Sequence, residues 1–184
     1  MDVLYGGGFN PPTIAHYEII KYLTKHFDKV IVMPTNNNYK NKMLASFDDR
    51  VKMLEAMTKD MGNVEVSRFE ENDESYLGTA HTLKLLNHPL FVIGADQLAL
   101  IHTWINATEL VRDNHFIVFP RSGINREELL ESEFLKDYKD NFVIVKDFKE
   151  INASSTAFRN NRDYSLVTDE VRVYIINNHL YEEA

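Results

Sequence analysis

Residues 5 to 16 read Tyr5-Gly6-Gly7-Gly8-Phe9-Asn10-Pro11-Pro12-Thr13-Ile14-Ala15-His16: a strand end, a glycine turn, two prolines and a polar Thr-x-x-His entering a helix. Val3 and Leu4 before the turn form a short apolar run of strand type. After it, Ile14, Tyr17, Ile20 and Leu23 recur at helical spacing. A helix that starts here points its unpaired amides at whatever lies over the glycines, and its dipole favours an anion. The segment is built like a phosphate site.

Working outward, apolar β-branched runs alternate with helical stretches to the end of the chain. Strands are expected at 1–5, Val30 to Met33, Val64 to Val66, Leu90 to Ile93, Phe116 to Phe119 and Phe142 to Val145. Helices are expected near 14–26, 47–60, 78–87, 96–111, 125–138 and 169–178, and another carries Arg159. Repeated strand–helix units predict an α/β fold, a doubly wound parallel sheet of five to six strands with a C-terminal helical segment. Such sheets bind ligands beyond the carboxyl ends of their strands, where the strand order reverses. No repeat or linker divides the chain, so a single domain over 1–184 is expected. Pro34 to Ser46, a polar stretch with Lys40 and Lys42, has no periodicity and is a candidate substrate lid.

Bulk properties exclude several classes. The 184 residues are 44% apolar and 26% charged, a globular composition, and no run approaches the ~18 apolar residues of a membrane span. A net charge of −8 argues against a broad grip on nucleic acid. With no cysteine, disulfides, thiolate metal sites and cysteine nucleophiles are all excluded. His26, His81, His88, His102, His115 and His179 show no paired metal spacing, so no protein metal site is expected. With no basic, apolar leader at the N terminus the chain reads as cytoplasmic. The sequence leaves the oligomeric state open, a homo-oligomer included.

Two nucleotide motifs fail on the glycine turn. A dinucleotide fingerprint would take Gly6 and Gly8 as its first glycines, but its third position is Pro11. A P-loop needs Gly-Lys-Ser/Thr at the helix start, and the sequence has no such triplet. A helix start without a ligand, with Thr13 as N-cap, stays open on these residues alone.

The segment Gly6 to His16 resembles the Gly-Gly-Thr/Ser-Phe-Asp-Pro-x-His/Thr-x-Gly-His signature of the nucleotidylyltransferase superfamily. Ala153-Ser154-Ser155-Thr156-Ala157-Phe158-Arg159 is similar to that superfamily's second motif, Ile-Ser-Ser-Thr-x-Ile-Arg. Val92-Ile93-Gly94-Ala95-Asp96-Gln97-Leu98, with Trp104 and Glu109-Leu110 beyond it, resembles the corresponding region of nicotinate mononucleotide adenylyltransferases. So do Arg50, Met53, Leu54 and Glu55, then Ser75-Tyr76 with Thr82-Leu83, and the helix from Val171 to Tyr181. The likeness spans essentially the whole chain. Gly8 stands where the signature has a hydroxyl, Asn10 where it has aspartate, Thr13 where this subfamily has histidine and Ala15 where it has glycine. Leu77-Gly78-Thr79 lengthens the usual spacing between Tyr76 and Thr82.

The resemblance implies a Rossmann-like fold and an adenylyltransferase of NAD biosynthesis. It would join the AMP part of ATP to nicotinate mononucleotide, giving deamido-NAD and pyrophosphate. Nicotinamide mononucleotide or phosphopantetheine as acceptor, and a non-catalytic nucleotide-binding module, remain alternatives. The implied partners are small-molecule nucleotides, not nucleic acid or membrane, with Mg2+ carried by ATP. Implied catalytic residues are His16 and Thr13 at the α-phosphate, Arg159 at the departing pyrophosphate, and Lys42 or Lys40 on the polar loop. ATP contacts would come from Gly7, Gly8, Phe9, Gly94, Asp96, Ser154, Ser155 and Thr156, with Arg121 on the adenine side. Tyr76, Thr79, Thr82 and Trp104 would hold the mononucleotide, Trp104 by stacking on the pyridine ring.

Overall fold

The apolar runs pair as parallel strands, buried at the centre of the sheet and partly exposed at its edges, where Val143 is 60% exposed. The computed structural model describes residues 1–36, 45–72 and 76–182. Its strands are β1 (Asp2–Gly7), β2 (Lys29–Pro34), β3 (Val64–Val66), β4 (Leu90–Gly94), β5 (Phe116–Phe119) and β6 (Phe142–Ile144). They form one six-stranded sheet in the order β3-β2-β1-β4-β5-β6. Parallel registers run Tyr5 to Val92, Val32 to Val66, Ile93 to Val118 and Val118 to Ile144. Strand order reverses between β1 and β4, the doubly wound arrangement expected from the alternation of elements.

The helices are α1 (Ile14–His26), α2 (Phe47–Thr58), α3 (Thr79–Leu85), α4 (Ala95–Leu100), α5 (Ala107–Asp113), α6 (Arg126–Leu130), α7 (Ser155–Asn161) and α8 (Asp169–Asn177). Two predicted helices break. The one expected over 96–111 divides into α4, a 3-10 turn at Ile101–Thr103 and α5, because Asn106 adopts a left-handed conformation (φ 53°) that no α-helix continues. The one expected over 125–138 ends at Leu130. Leu130 and Leu135 are both buried, and a five-residue interval does not place two side chains on one helical face.

The chain groups into two compact units. The first comprises Met1, Gly6–Glu74 and Ile151–Ala184, and the second Asp2–Tyr5 and Ser75–Glu150. In the first, Ile20, Leu23, Val30, Val32, Val51, Leu54, Phe158, Val171 and Ile175 form the core. Burying each such side chain contributes ~1.5–3 kcal/mol. The α2 and α8 helices pack together there, and the Tyr174 hydroxyl donates to Asp49 Oδ1 at 2.8 Å. In the second, Val3, Leu4, Leu83, Ile93, Leu98, Leu110 and Val118 are buried, and Phe116 stacks on Phe142 with centroids 4.7 Å apart.

Candidate active site

In the first unit the glycine turn is fixed from inside. Phe9 adopts a left-handed conformation (φ 48°), which directs its ring into the core. A Cβ at Gly7 would lie 3.3 Å from that ring, so the close approach of ring and backbone selects glycine there. Phe9 is therefore an anchor beneath the turn; as an ATP residue it has only its backbone to offer. Among the described residues, no heavy atom lies within 4 Å of a Cβ added at Gly8.

Thr13 is the N-cap of α1 and His16 its third residue. The Thr13 backbone N–H donates to His16 Nδ1 at 2.9 Å, and the Thr13 hydroxyl lies 3.1 Å from the same nitrogen. A nitrogen that accepts an N–H carries no proton, so the imidazole proton sits on Nε2. The edge contact of Phe9 on the ring, centroids 5.0 Å apart, sets its plane. Thr13, expected as a phosphate contact, is fully buried, with its hydroxyl against His16 Nδ1.

The second motif docks onto the first. Ser154 caps α7 by accepting from Ala157 N–H at 3.0 Å. Ser155 Oγ donates to the Pro11 carbonyl at 2.8 Å, and Arg159 Nη1 to the Asn10 carbonyl at 2.6 Å. Arg159 Nη2 also reaches Thr156 Oγ1 at 3.3 Å. The Ser155 proton is thus committed to the loop. Ser155 joins the motifs, while Thr156 lies on the exposed side.

Three further residues hold this turn, and sequence reasoning gave them no such role. Arg50 is fully buried, donating from Nη1 to the Gly8 carbonyl at 2.9 Å and from Nε to the Ala45 carbonyl at 3.1 Å. Burial holds its guanidinium below the usual arginine pKa, with Tyr181 and Glu70 acting the other way. Asn10 Oδ1 accepts from Ala45 N–H at 2.9 Å and from the Tyr181 hydroxyl at 2.7 Å. The available signal was a cation on the apolar stripe of α2, since Arg50 shares a face with Met53, Leu54 and Met57. Lys42, with its alternative Lys40, lies outside the described residues.

In the second unit, Gly94 ends β4 and caps α4, its N–H donating to Gln97 Oε1 at 2.9 Å. Asp96 folds back over it: a Cβ at Gly94 would sit 2.5 Å from Asp96 Oδ1. Arg121 Nε lies 3.7 Å from the same oxygen. The Tyr5 phenol is buried near this pair, and burial drives its pKa above the ordinary tyrosine range. Asp96 and Arg121, expected on the ribose and adenine sides, therefore form one polar group at the end of β4. Tyr76 OH and Thr79 Oγ1 are 3.1 Å apart at the start of α3. Thr82, one turn on, is buried at 3% exposure, so of the two threonines Thr79 is the accessible one. Gly78 has φ 96°, and its Cα faces Ile105, next to the half-buried Trp104: a Cβ there would fall 2.7 Å from Ile105 Cβ. The lengthened spacing after Tyr76 thus places a glycine where only glycine fits.

Residues 4–161 match the cytidylyltransferase-like family. A protein of Acholeplasma laidlawii named "Probable nicotinate-nucleotide adenylyltransferase" is 35% identical, aligned over 100% of this chain and 99% of its own. One of the same name from Fusobacterium nucleatum is 34% identical over 85% of this chain and 84% of its own. Among solved structures, Plasmodium falciparum nicotinic acid mononucleotide adenylyltransferase complexed with NaAD superposes with a TM-score of 0.84, covering 98% of this chain and 96% of that one. At 21% identity that likeness establishes the fold.

Proposed function

The chain belongs to the cytidylyltransferase-like family, and from that membership we propose that it transfers the adenylyl group of ATP to nicotinate mononucleotide, releasing pyrophosphate and forming deamido-NAD. The observation that carries this reading is the docking of the two motifs: Ser155 on Pro11 and Arg159 on Asn10 bring both phosphate segments onto one turn.

A phosphate oxygen of the mononucleotide attacks the α-phosphorus of ATP. It is already an anion, so no general base is needed; the protein's work is alignment and charge stabilisation. His16 donates its Nε2 proton to the α-phosphate, helped by the positive end of α1. Arg159 retains further N–H groups beyond the one given to Asn10 and meets charge that moves onto pyrophosphate. Ser154 and Thr156 supply hydroxyls to the same phosphates, and Lys42 or Lys40 closes from the polar segment. Gly94 and Asp96 take the nucleoside, with Arg121 beside them. Tyr76, Thr79 and Trp104 receive the pyridine mononucleotide.

Magnesium enters with ATP, chelated by its phosphates. The described residues bring no three His, Asp or Glu side chains together as ligands. No helix among them is long and apolar enough to cross a membrane. The test is a pyrophosphate-release panel with magnesium-ATP and nicotinate mononucleotide, nicotinamide mononucleotide or phosphopantetheine. Release with nicotinate mononucleotide above both others is expected; equal, negligible rates with all three would overturn the proposal.

A further inference from the structure

We propose that Tyr181, beyond α8, is a positioning residue for this reaction, holding the Arg159–Asn10 contact together from both sides; this rests on the adenylyltransferase reading above. Its hydroxyl donates to Asn10 Oδ1 at 2.7 Å, while Asn10's own carbonyl receives Arg159 Nη1 at 2.6 Å. Its ring meets the edge of Phe158, the residue before Arg159, with centroids 5.8 Å apart and planes at 79°. One side chain thus touches the turn and the helix that supplies the arginine.

The chemistry favours a fixed donor. The phenol is half-buried, and desolvation raises its pKa despite the opposing pull of the Arg159 and Arg50 cations. It keeps its proton across the physiological range. The amide of Asn10 is oriented by two donors converging on Oδ1, Tyr181 from the tail and Ala45 from the segment before α2. Without the phenol oxygen, one of the donors that orient the Asn10 amide disappears. The Asn10 backbone carbonyl still receives Arg159 but is held less firmly, so the aim of the remaining N–H groups loosens. That aim matters when charge moves onto the leaving group, so the effect should fall on kcat more than on the KM for ATP.

Tyr181→Phe keeps the ring on Phe158 and deletes the oxygen. At a temperature well below its melting transition, its kcat should fall about tenfold, with the KM for ATP within about two-fold of wild type. Tyr164→Phe is the control. Tyr164 packs on the same Phe158 ring at 5.5 Å and stands outside the site, so its kcat should match wild type. Adding Tyr181→Phe to Asn10→Ala should cost nothing more, because both act through one contact. A Tyr181→Phe kcat within about two-fold of wild type, or full additivity with Asn10→Ala, would overturn the inference while the activity stood. Absence of acceptor-dependent pyrophosphate release in wild type would overturn the proposed function and this role with it.

Discussion

Arg159 Nη1 lies 2.6 Å from the backbone oxygen of Asn10, across 149 residues of sequence. A charge-assisted bond of this length is among the stronger contacts in a protein. Neither motif is complete without the other: the glycine turn has no cation of its own, and α7 without the turn carries an ordinary surface arginine. Ser155 on Pro11 adds a second link of the same kind. The pair therefore joins two segments that the sequence separates.

His16 is the first residue to test. Its Nδ1 accepts from the Thr13 N–H, which leaves Nε2 as the donor. His16→Ala removes both roles. Pyrophosphate release should fall about 10²–10³-fold, the usual effect of losing one donor to a transition-state oxyanion. Stability should drop by about 1 kcal/mol as α1 loses a cap interaction. Steady-state rates and a urea melt on the same variant separate the two effects.

Arg50 should matter for stability before activity. Its guanidinium holds the Gly8 and Ala45 carbonyls at once, and the buried Glu70 carboxylate partly offsets the desolvation that lowers its pKa. Arg50→Met strands both carbonyls and leaves Glu70 without that charge, a loss of about 3 kcal/mol. Arg50→Lys should recover less than half of it, since an ammonium cannot fork to two separated carbonyls. Urea midpoints at constant slope would measure both; a loss under about 1 kcal/mol for the methionine variant would contradict this account.

Much of the fold was legible because the signals are local. All six strands follow from apolar β-branched runs: β3 and β5 fall where expected, and β1, β2, β4 and β6 need only their ends adjusted by one or two residues. Helix lengths were less legible where burial of distant side chains decides them, as at Leu130 and Leu135, or where one residue turns left-handed, as at Asn106. Motif matching pointed to His16 and Arg159 through residue types at fixed spacing. It could not say that Thr13 and Phe9 turn inward, or that Arg50 and Tyr181 reach the turn, because those facts depend on contacts between remote segments.

Gly8 is a position where the chain departs from the signature without steric cause. Among the described residues an added Cβ meets nothing within 4 Å, and its φ is not in the left-handed range. Gly8→Ser should therefore raise stability by about 0.4–1 kcal/mol by restricting the unfolded chain. The new hydroxyl lies on the phosphate turn and should raise kcat/KM for ATP a few-fold. A destabilised variant in thermal melts, or a lower kcat/KM, would show that the space is required.

Gly78 should behave in the opposite way. Its φ of 96° is strained for any L side chain, and its Cβ would press on Ile105 Cβ at 2.7 Å. Gly78→Ala combines the two costs, about 1–3 kcal/mol from the backbone and a similar amount from overpacking. The segment must shift to relieve them, carrying the Tyr76–Thr79 pair with it. The KM for nicotinate mononucleotide should rise about tenfold while the KM for ATP changes little, because the residues assigned to the triphosphate lie elsewhere in the chain. Ile105→Gly in the same background removes the Cβ that a side chain at residue 78 would strike, so it should restore part of the melting temperature and part of the acceptor KM. Full restoration would mean that the backbone conformation at residue 78 carries no strain, and an equal rise in both KM values would mean that this segment does not belong to the acceptor site.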